Sequence, residues 1–284
     1  MRIAFITIAV SMFLILLILQ QRWPLRQLTH PWLKRVVINI YLAIPMFLVA
    51  ALLVRPVGWH TVSWSTQHAF GLLRLIALPG WLQFILGFLL LDLSFYYWHW
   101  LNHRVPLLWR FHNVHHVDPD LDVTTSIRFH VIEVGYSTFF RLLQISLIGI
   151  NPLTFIVYEL FFQLSTFFQH SNLRLPISFE RILNKLLVTP RMHGIHHSQI
   201  KRELNSNFSV VFSFWDRCHN TLRLNIAQQE IKIGVPGYDL PAANHFWHLL
   251  ILPFMRQRDY WRLPNGKLPQ RSEDQSKPVT FLRE

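Results

Sequence analysis

Long uncharged runs constrain this chain more than anything else in it. Residues 3–19, IAFITIAVSMFLILLIL, carry no charge and have about the length that crosses a bilayer. QQRWPLR follows in place of an A-x-A cleavage site, so the run reads as a retained span with a basic stop and an interfacial Trp. A second uncharged run extends from Val36 to Val54. A third, from Trp81 to Trp98, contains Asp92, and an acid at that depth is expected to face the bundle interior. A fourth region, Tyr136 to Phe168, is interrupted by Arg141 and by Asn151-Pro152. It reads as two helical segments meeting at the Asn-Pro turn, either a hairpin or one kinked span. The composition agrees: 51% of residues are hydrophobic and only 15% charged, where soluble domains are nearer a quarter charged. The expected architecture is all-α, a polytopic membrane helical bundle of about four spans with a cytoplasmic helical cap.

Basic residues set the orientation. Arg22, Arg26, Lys34 and Arg35 separate the first two runs, whereas only Arg55 and Arg74 separate the second and third. The first loop is therefore expected in the cytoplasm and the second outside. Residues 99–128 return to the cytoplasm, and so does the Lys- and Arg-rich C-terminal third. This divides a single membrane-embedded domain, 1–284, into spans (1–98), a histidine-rich region and cap (99–262) and a polar, disordered tail (263–284). Within the cap, Phe246 to Arg262 mixes aromatic and basic residues as an interfacial segment does. The net charge of +12 is interleaved with apolar runs, so its anionic partner is read as a membrane surface and not nucleic acid. A single cysteine, Cys218, excludes an internal disulfide and any Cys-rich metal site.

The chemistry lies in the 16 histidines. His99 and His103 form HWLNH, His112, His115 and His116 form HNVHH, and His193, His196 and His197 form HGIHH. Positions three and four apart share one face of a helix, so each motif presents its imidazoles to one point. Neutral imidazole is a common ligand for Zn, Fe, Cu and Ni. Eight such ligands exceed the four that one tetrahedral zinc takes and suit two metals close together. The chain has no HExxH zincin motif and no Glu-x-x-His of the carboxylate di-iron bundles. The first cluster directly follows the third apolar run, so the centre is expected at the membrane surface, open to an apolar substrate.

In that order after a set of spans, the three motifs resemble the fatty acid hydroxylase / sterol desaturase superfamily of membrane oxidoreductases. The likeness runs from about Leu91 to Thr221. Arg128-Phe129-His130-Val131-Ile132-Glu133 is similar to the family's R-x-H-P-x-E segment, and Phe168 to Asn172 to its F-Q-H-x-N segment. Asn207-Phe208 followed by Trp215-Asp216-Arg217 resembles its N-[FY]-G…W-D-R stretch. Departures are Val131 for proline, Ser209 for glycine, and Cys218-His219-Asn220 for Leu-Phe-Gly. The resemblance implies two Fe ions and use of O2. It also implies a lipid substrate (sterol, fatty acyl lipid, ether lipid or carotenoid) that is hydroxylated or desaturated, and a separate electron-transfer protein. His130 and His170 join the eight box histidines as candidate ligands, or as residues that orient them. Glu133 either orients an imidazole or pairs with Arg128. Arg104, Arg110 and the basic cap are candidates for docking the electron donor or for anchoring to the membrane. The alternative function is a non-catalytic zinc-binding transport or structural protein of the membrane, which would need a polar path across the spans.

Overall fold

The apolar runs are helices in the computed structural model, which describes residues 2–240 and 243–271. Helix α1 spans Arg2–Arg22 and α2 spans Trp32–Val49. A π-helical stretch, Ala50–Val54, carries α2 without a break into α3, Arg55–Gln67. The sequence reading placed a loop after Val54, because Ser, Thr, His and Gln dilute the apolar signal there. The segment is nonetheless helical to Gln67. Pro56, which has no N–H to give, falls just after the π turn. Then come α4 (Gly80–Arg104), α5 (Pro106–His116), α6 (Val131–Ile148) and α7 (Pro152–His170). The shorter helices α8 (Ile177–Leu183), α9 (Pro190–His196), α10 (Lys201–Leu204), α11 (Phe214–Cys218) and α12 (Phe246–Ile251) belong to the cap.

The all-α membrane bundle expected from the sequence is what the described residues form. Four segments are long and apolar enough to cross a membrane: Ile3–Arg22, Trp32–Arg74, Gly80–Arg104 and Val131–Ile148. Their outward faces carry exposed Ile, Leu, Val and Phe side chains, among them Ile3, Ile18, Leu52, Trp81 and Phe139. In water such a surface would be an aggregation liability; in a bilayer it is solvated by lipid.

The fourth apolar region is a hairpin and not a kinked span. Gly149 closes α6 in the left-handed conformation at φ 74°. The Asn151 side chain then caps α7 by accepting from Thr154 N at 2.8 Å, with Pro152 at the first helical position. Gly149 packs on Gly71, the turn residue between α3 and α4. A Cβ on Gly71 would lie 2.4 Å from the Gly149 Cα, so the two turns can meet only as glycines. From this junction α6 and α7 diverge. α6 follows α2 and α3, while α7 packs on α1, α4 and α9.

Two buried polar knots fasten the cap to the spans. Asp92, in the middle of α4, accepts from Val211 N (3.2 Å), Phe212 N (3.0 Å), Trp215 Nε1 (2.9 Å) and the Tyr158 hydroxyl (3.2 Å). It faces the interior, as an acid at that depth must. Arg35 of α2, fully buried, donates to both Asp118 oxygens (2.8 and 3.0 Å) and to Asp122 (2.9 Å). Burial would push the Asp118 carboxyl up, but the Arg35 and Arg128 guanidiniums outweigh it and hold it at about 2. Asp120 fastens the loop before α2 by accepting from Thr29 N and His30 N, at 2.8 and 2.9 Å. In the stretch read as tail, Arg271 pairs with Glu203 at 2.6 Å; residues 272–284 lie outside the described residues.

Candidate metal centre

Helix ends supply the candidate ligands. α4 delivers His99 and His103 one turn apart at its last turns. Val105-Pro106 then breaks the helix, because proline disfavours helical geometry in the residue before it. α5 folds back and brings His112, His115 and His116 against the first pair. α7 ends on His170, and α9 carries His193 and His196 with His197 just beyond.

These nine imidazoles fall into two groups. His99, His103, His112, His116 and His196 form one, and His115, His170, His193 and His197 the other. Within each group one ring nitrogen per residue lies within 4.8 Å of all the others. The groups abut: the His116 and His197 rings stack with centroids 4.4 Å apart, and His193 stacks on His196 at 5.1 Å.

Outer hydrogen bonds fix which nitrogen faces inward. Nδ1–H donates to a carbonyl oxygen from His99 (Phe208, 2.9 Å), His115 (Arg128, 3.2 Å), His170 (Thr166, 2.7 Å) and His196 (Ser206, 2.7 Å). His112 Nδ1 donates to Glu133 Oε1 at 2.8 Å. A neutral ring that donates through Nδ1 holds a lone pair at Nε2. In the four-histidine group two such lone pairs, those of His115 and His170, converge, while Nδ1 of His193 and of His197 is buried without a hydrogen-bond partner. His115 Nε2 lies 3.0 Å from His170 Nε2, which lies 3.0 Å from His193 Nε2, with His197 Nε2 3.2 Å further on. The His115 and His170 nitrogens can only accept, and they repel one another at that distance unless a cation sits between them. In the other group both ring nitrogens of His103 and His116, and Nε2 of His112 and His196, are buried without a hydrogen-bond partner. Buried polar atoms left so are costly in a fold and ordinary at a metal site. Burial, reinforced by neighbouring imidazoles, pushes His115, His116, His193 and His197 well below the usual histidine range, and His196 down to about 3. The rings are thus held neutral, the form that binds a metal. All-imidazole donor sets suit first-row transition metals.

Residues 84–221 match the family model for fatty acid hydroxylase. The chain carries a fatty acid hydroxylase domain. The resemblance read from the histidine motifs is thereby borne out. Human cholesterol 25-hydroxylase is 33% identical over 138 residues, 48% of this chain and 49% of its own length. The ornithine lipid hydroxylase OlsE of Rhizobium tropici is 26% identical over 200 residues, covering 70% of this chain and 56% of the relative. Alkylglycerol monooxygenase of Xenopus tropicalis is 32% identical over 151 residues, 52% of this chain and 32% of the relative. The chain thus spans about half the length of these curated relatives, or less. No solved structure matches it.

All ten candidate histidines lie inside the fatty acid hydroxylase domain, but the fold does not bring them all together. His170 enters the four-histidine group. His130 enters neither: its Nδ1 accepts from Ile132 N (3.1 Å) and caps α6, and its Nε2–H donates to the Leu250 carbonyl (3.0 Å). With both nitrogens engaged, it is a helix cap and a cap-to-span tie. His219 also stays outside, stacked on Tyr96 and bonded to the Tyr97 hydroxyl and the Trp215 carbonyl. Glu133 orients His112 and does not pair with Arg128. Arg128 instead donates to the Val114 carbonyl, Asn39 and Asn244.

The domain's departures from the family pattern are absorbed locally. Val131 takes the first helical position that a proline would fill. Ser209 Oγ accepts from Asp216 N at 3.1 Å. Asp216 in turn accepts from Phe208 N and Ser209 N (2.8 and 2.9 Å), fixing the backbone whose Phe208 carbonyl holds His99. Asn207, in the left-handed conformation at φ 56°, donates to the Met192 carbonyl (2.8 Å) and so ties this loop to the third histidine motif. Arg35 and Asn39 are supports that sequence reasoning missed, because a basic residue beside a span reads as an anchor and an isolated Asn carries no signal.

A cavity of about 250 Å³ opens onto the rings of His99, His112, His115, His170 and His193. Its walls are mainly apolar, among them Met46, Ile127, Phe129, Phe140 and Phe162, and it reaches Phe5 and Val54 on the lipid-facing helices.

Proposed function

We propose that the chain is a multi-pass membrane oxidoreductase that uses O2 and two Fe ions to oxidise a C–H bond of a lipid, with hydroxylation favoured. The observation that carries this reading is the junction of two abutting all-histidine groups with one mainly apolar cavity that reaches Phe5 and Val54 on the apolar helices. The curated relatives bear the names of hydroxylases and a monooxygenase, which supports hydroxylation over desaturation. His99, His103, His112, His116 and His196 would hold one iron, and His115, His170, His193 and His197 the other. When bound, the irons supply the activation of oxygen that no side chain can perform.

The chain's own residues do the rest. The carbonyls of Phe208, Arg128, Thr166 and Ser206, with the Glu133 carboxylate, lock five imidazoles in the tautomer that presents Nε2. The apolar walls admit a lipid and exclude water from the reacting carbon. Electrons come from a separate protein. Trp261, with Lys201 Nζ 5.1 Å above its ring, stacks on buried Trp109 at 6.4 Å; Trp109 lies 4.8 Å from His103 and 5.4 Å from His116. Exposed Arg110, Arg202 and Arg258 suit an acidic donor at that spot. On the positive-inside reading this face is cytoplasmic.

The test is growth of a host expressing the chain under 18O2, with mass spectrometry of its extracted lipids. One 18O in a lipid absent from cells carrying His115→Ala with His196→Ala supports hydroxylation. Loss of two hydrogens without label would indicate desaturation. An unchanged lipidome with iron-loaded protein present would count against the reading.

A further inference from the structure

Two ionisable side chains lie in the membrane-embedded hairpin and take no part in the metal centre. Arg141 of α6 and Glu159 of α7 form an ion pair across the gap where these helices diverge. An ion pair at this depth is expensive and marks function by default. It is also more than a tie between helices, because both residues line the same cavity as the histidines, beside Gln163 and Thr166. Arg141 is held from behind. It donates to Gln144 Oε1 at 3.0 Å and lies 4.6 Å above the Phe95 ring, while Gln144 is fixed to the Leu91 carbonyl at 3.2 Å. Glu159 accepts through Oε1 from Arg141; among the described residues its Oε2 has no donor, and its side chain is 22% exposed.

We propose that the Arg141–Glu159 pair is the polar anchor of the substrate cavity, seating the hydroxyl group of an uncharged lipid. The inference rests on the lipid-oxidising reading above. The pair compensates its own charge and so offers none to a charged headgroup, while Arg55, which also lines the cavity, lies 6.0 Å over the Phe5 ring. A purely hydrocarbon end would leave Glu159 Oε2 without a donor. A hydroxyl donates to Glu159, accepts from Arg141 and adds no charge. Helix geometry sets the span of the lipid. Glu159 precedes His170 by eleven residues of α7, about 16 Å at 1.5 Å per residue, and Arg141 follows Glu133 by eight residues of α6, about 12 Å. The pair therefore selects for reaction a carbon about 12–16 Å from the hydroxyl.

The test is equilibrium binding of tritiated 1-hexadecanol to the full chain in detergent, competed by hexadecane and by hexadecanoate. Wild type is expected to prefer the alcohol over the hydrocarbon by about tenfold, the worth of one hydrogen bond to a charged group. Arg141→Met with Glu159→Leu, which leaves no lone charge, should bind alcohol and hydrocarbon equally with metal content unchanged. Should that variant fail to fold, Glu159→Gln serves: it leaves Arg141 uncompensated and should shift the preference to hexadecanoate. No preference in wild type, or the wild-type preference kept in either variant, overturns the proposal. Binding is read without turnover, so loss of lipid oxidation with the alcohol preference intact would sink the functional reading and leave the anchor standing.

Discussion

His115 and His170 face each other through Nε2 atoms 3.0 Å apart, each with its Nδ1–H already given to a backbone carbonyl. Two lone pairs at that distance define a cation site more sharply than the count of histidines does. They also join a box residue to one outside the three motifs.

His170 and His130 should therefore behave differently. His170→Ala is expected to remove metal from the four-histidine group, seen as a drop of about one ion per chain by elemental mass spectrometry. His130→Ala should keep full metal content and lose about 1 kcal/mol of stability with the α6 cap. Metal loss in the His130 variant would refute its assignment as a cap.

Glu133 holds His112 Nδ1 at 2.8 Å and should act on a bound metal through that ring. Glu133→Ala should weaken metal retention against a chelator by about 10–100-fold, the usual scale for a residue that orients a ligand imidazole. Glu133→Gln keeps an acceptor for Nδ1–H and should lose less. Equal loss in both variants would mean that the charge matters and the hydrogen bond does not.

Arg35 should be a determinant of folding and not of membrane anchoring. Arg35→Met strips the buried Asp122 carboxylate of its ion-pair partner and leaves Asp118 only Arg128 at 4.0 Å, a change that costs about 3–5 kcal/mol. The check is thermal unfolding in detergent. Arg22→Met, at a residue outside this network, should change little.

Metal removal should loosen the centre, because the inward lone pairs are then left to repel one another. Prolonged chelation is expected to lower the melting temperature, and added Fe(II) or Zn(II) to restore it in proportion to site occupancy. A melting temperature indifferent to metal would contradict the convergence of Nε2 atoms.

The spans and the motif histidines were legible because each rests on local spacing: a run of apolar residues, or imidazoles one turn apart. The hairpin at Asn151-Pro152 was legible as one of two options, and Gly149 decides it by closing α6 in a conformation that glycine adopts freely. What sequence could not show depends on contacts between distant segments. Arg35 reads as a flanking anchor until Asp118, 83 residues on, is seen to bind it. His130 and His170 look alike in sequence, and only the carbonyl of Leu250 and the nitrogens of His115 and His193 tell them apart. The helix from Arg55 to Gln67 was missed because it is too polar to register as a span.

The central claim is that two metals sit side by side, and their number per chain tests it most directly. Protein purified in detergent from iron-replete cells should hold two irons per chain by elemental mass spectrometry. His115→Ala with His196→Ala, one change in each group, should hold almost none. A single zinc that iron does not replace, or metal content unaffected by the double variant, would contradict the account and return the chain to a structural or transport role.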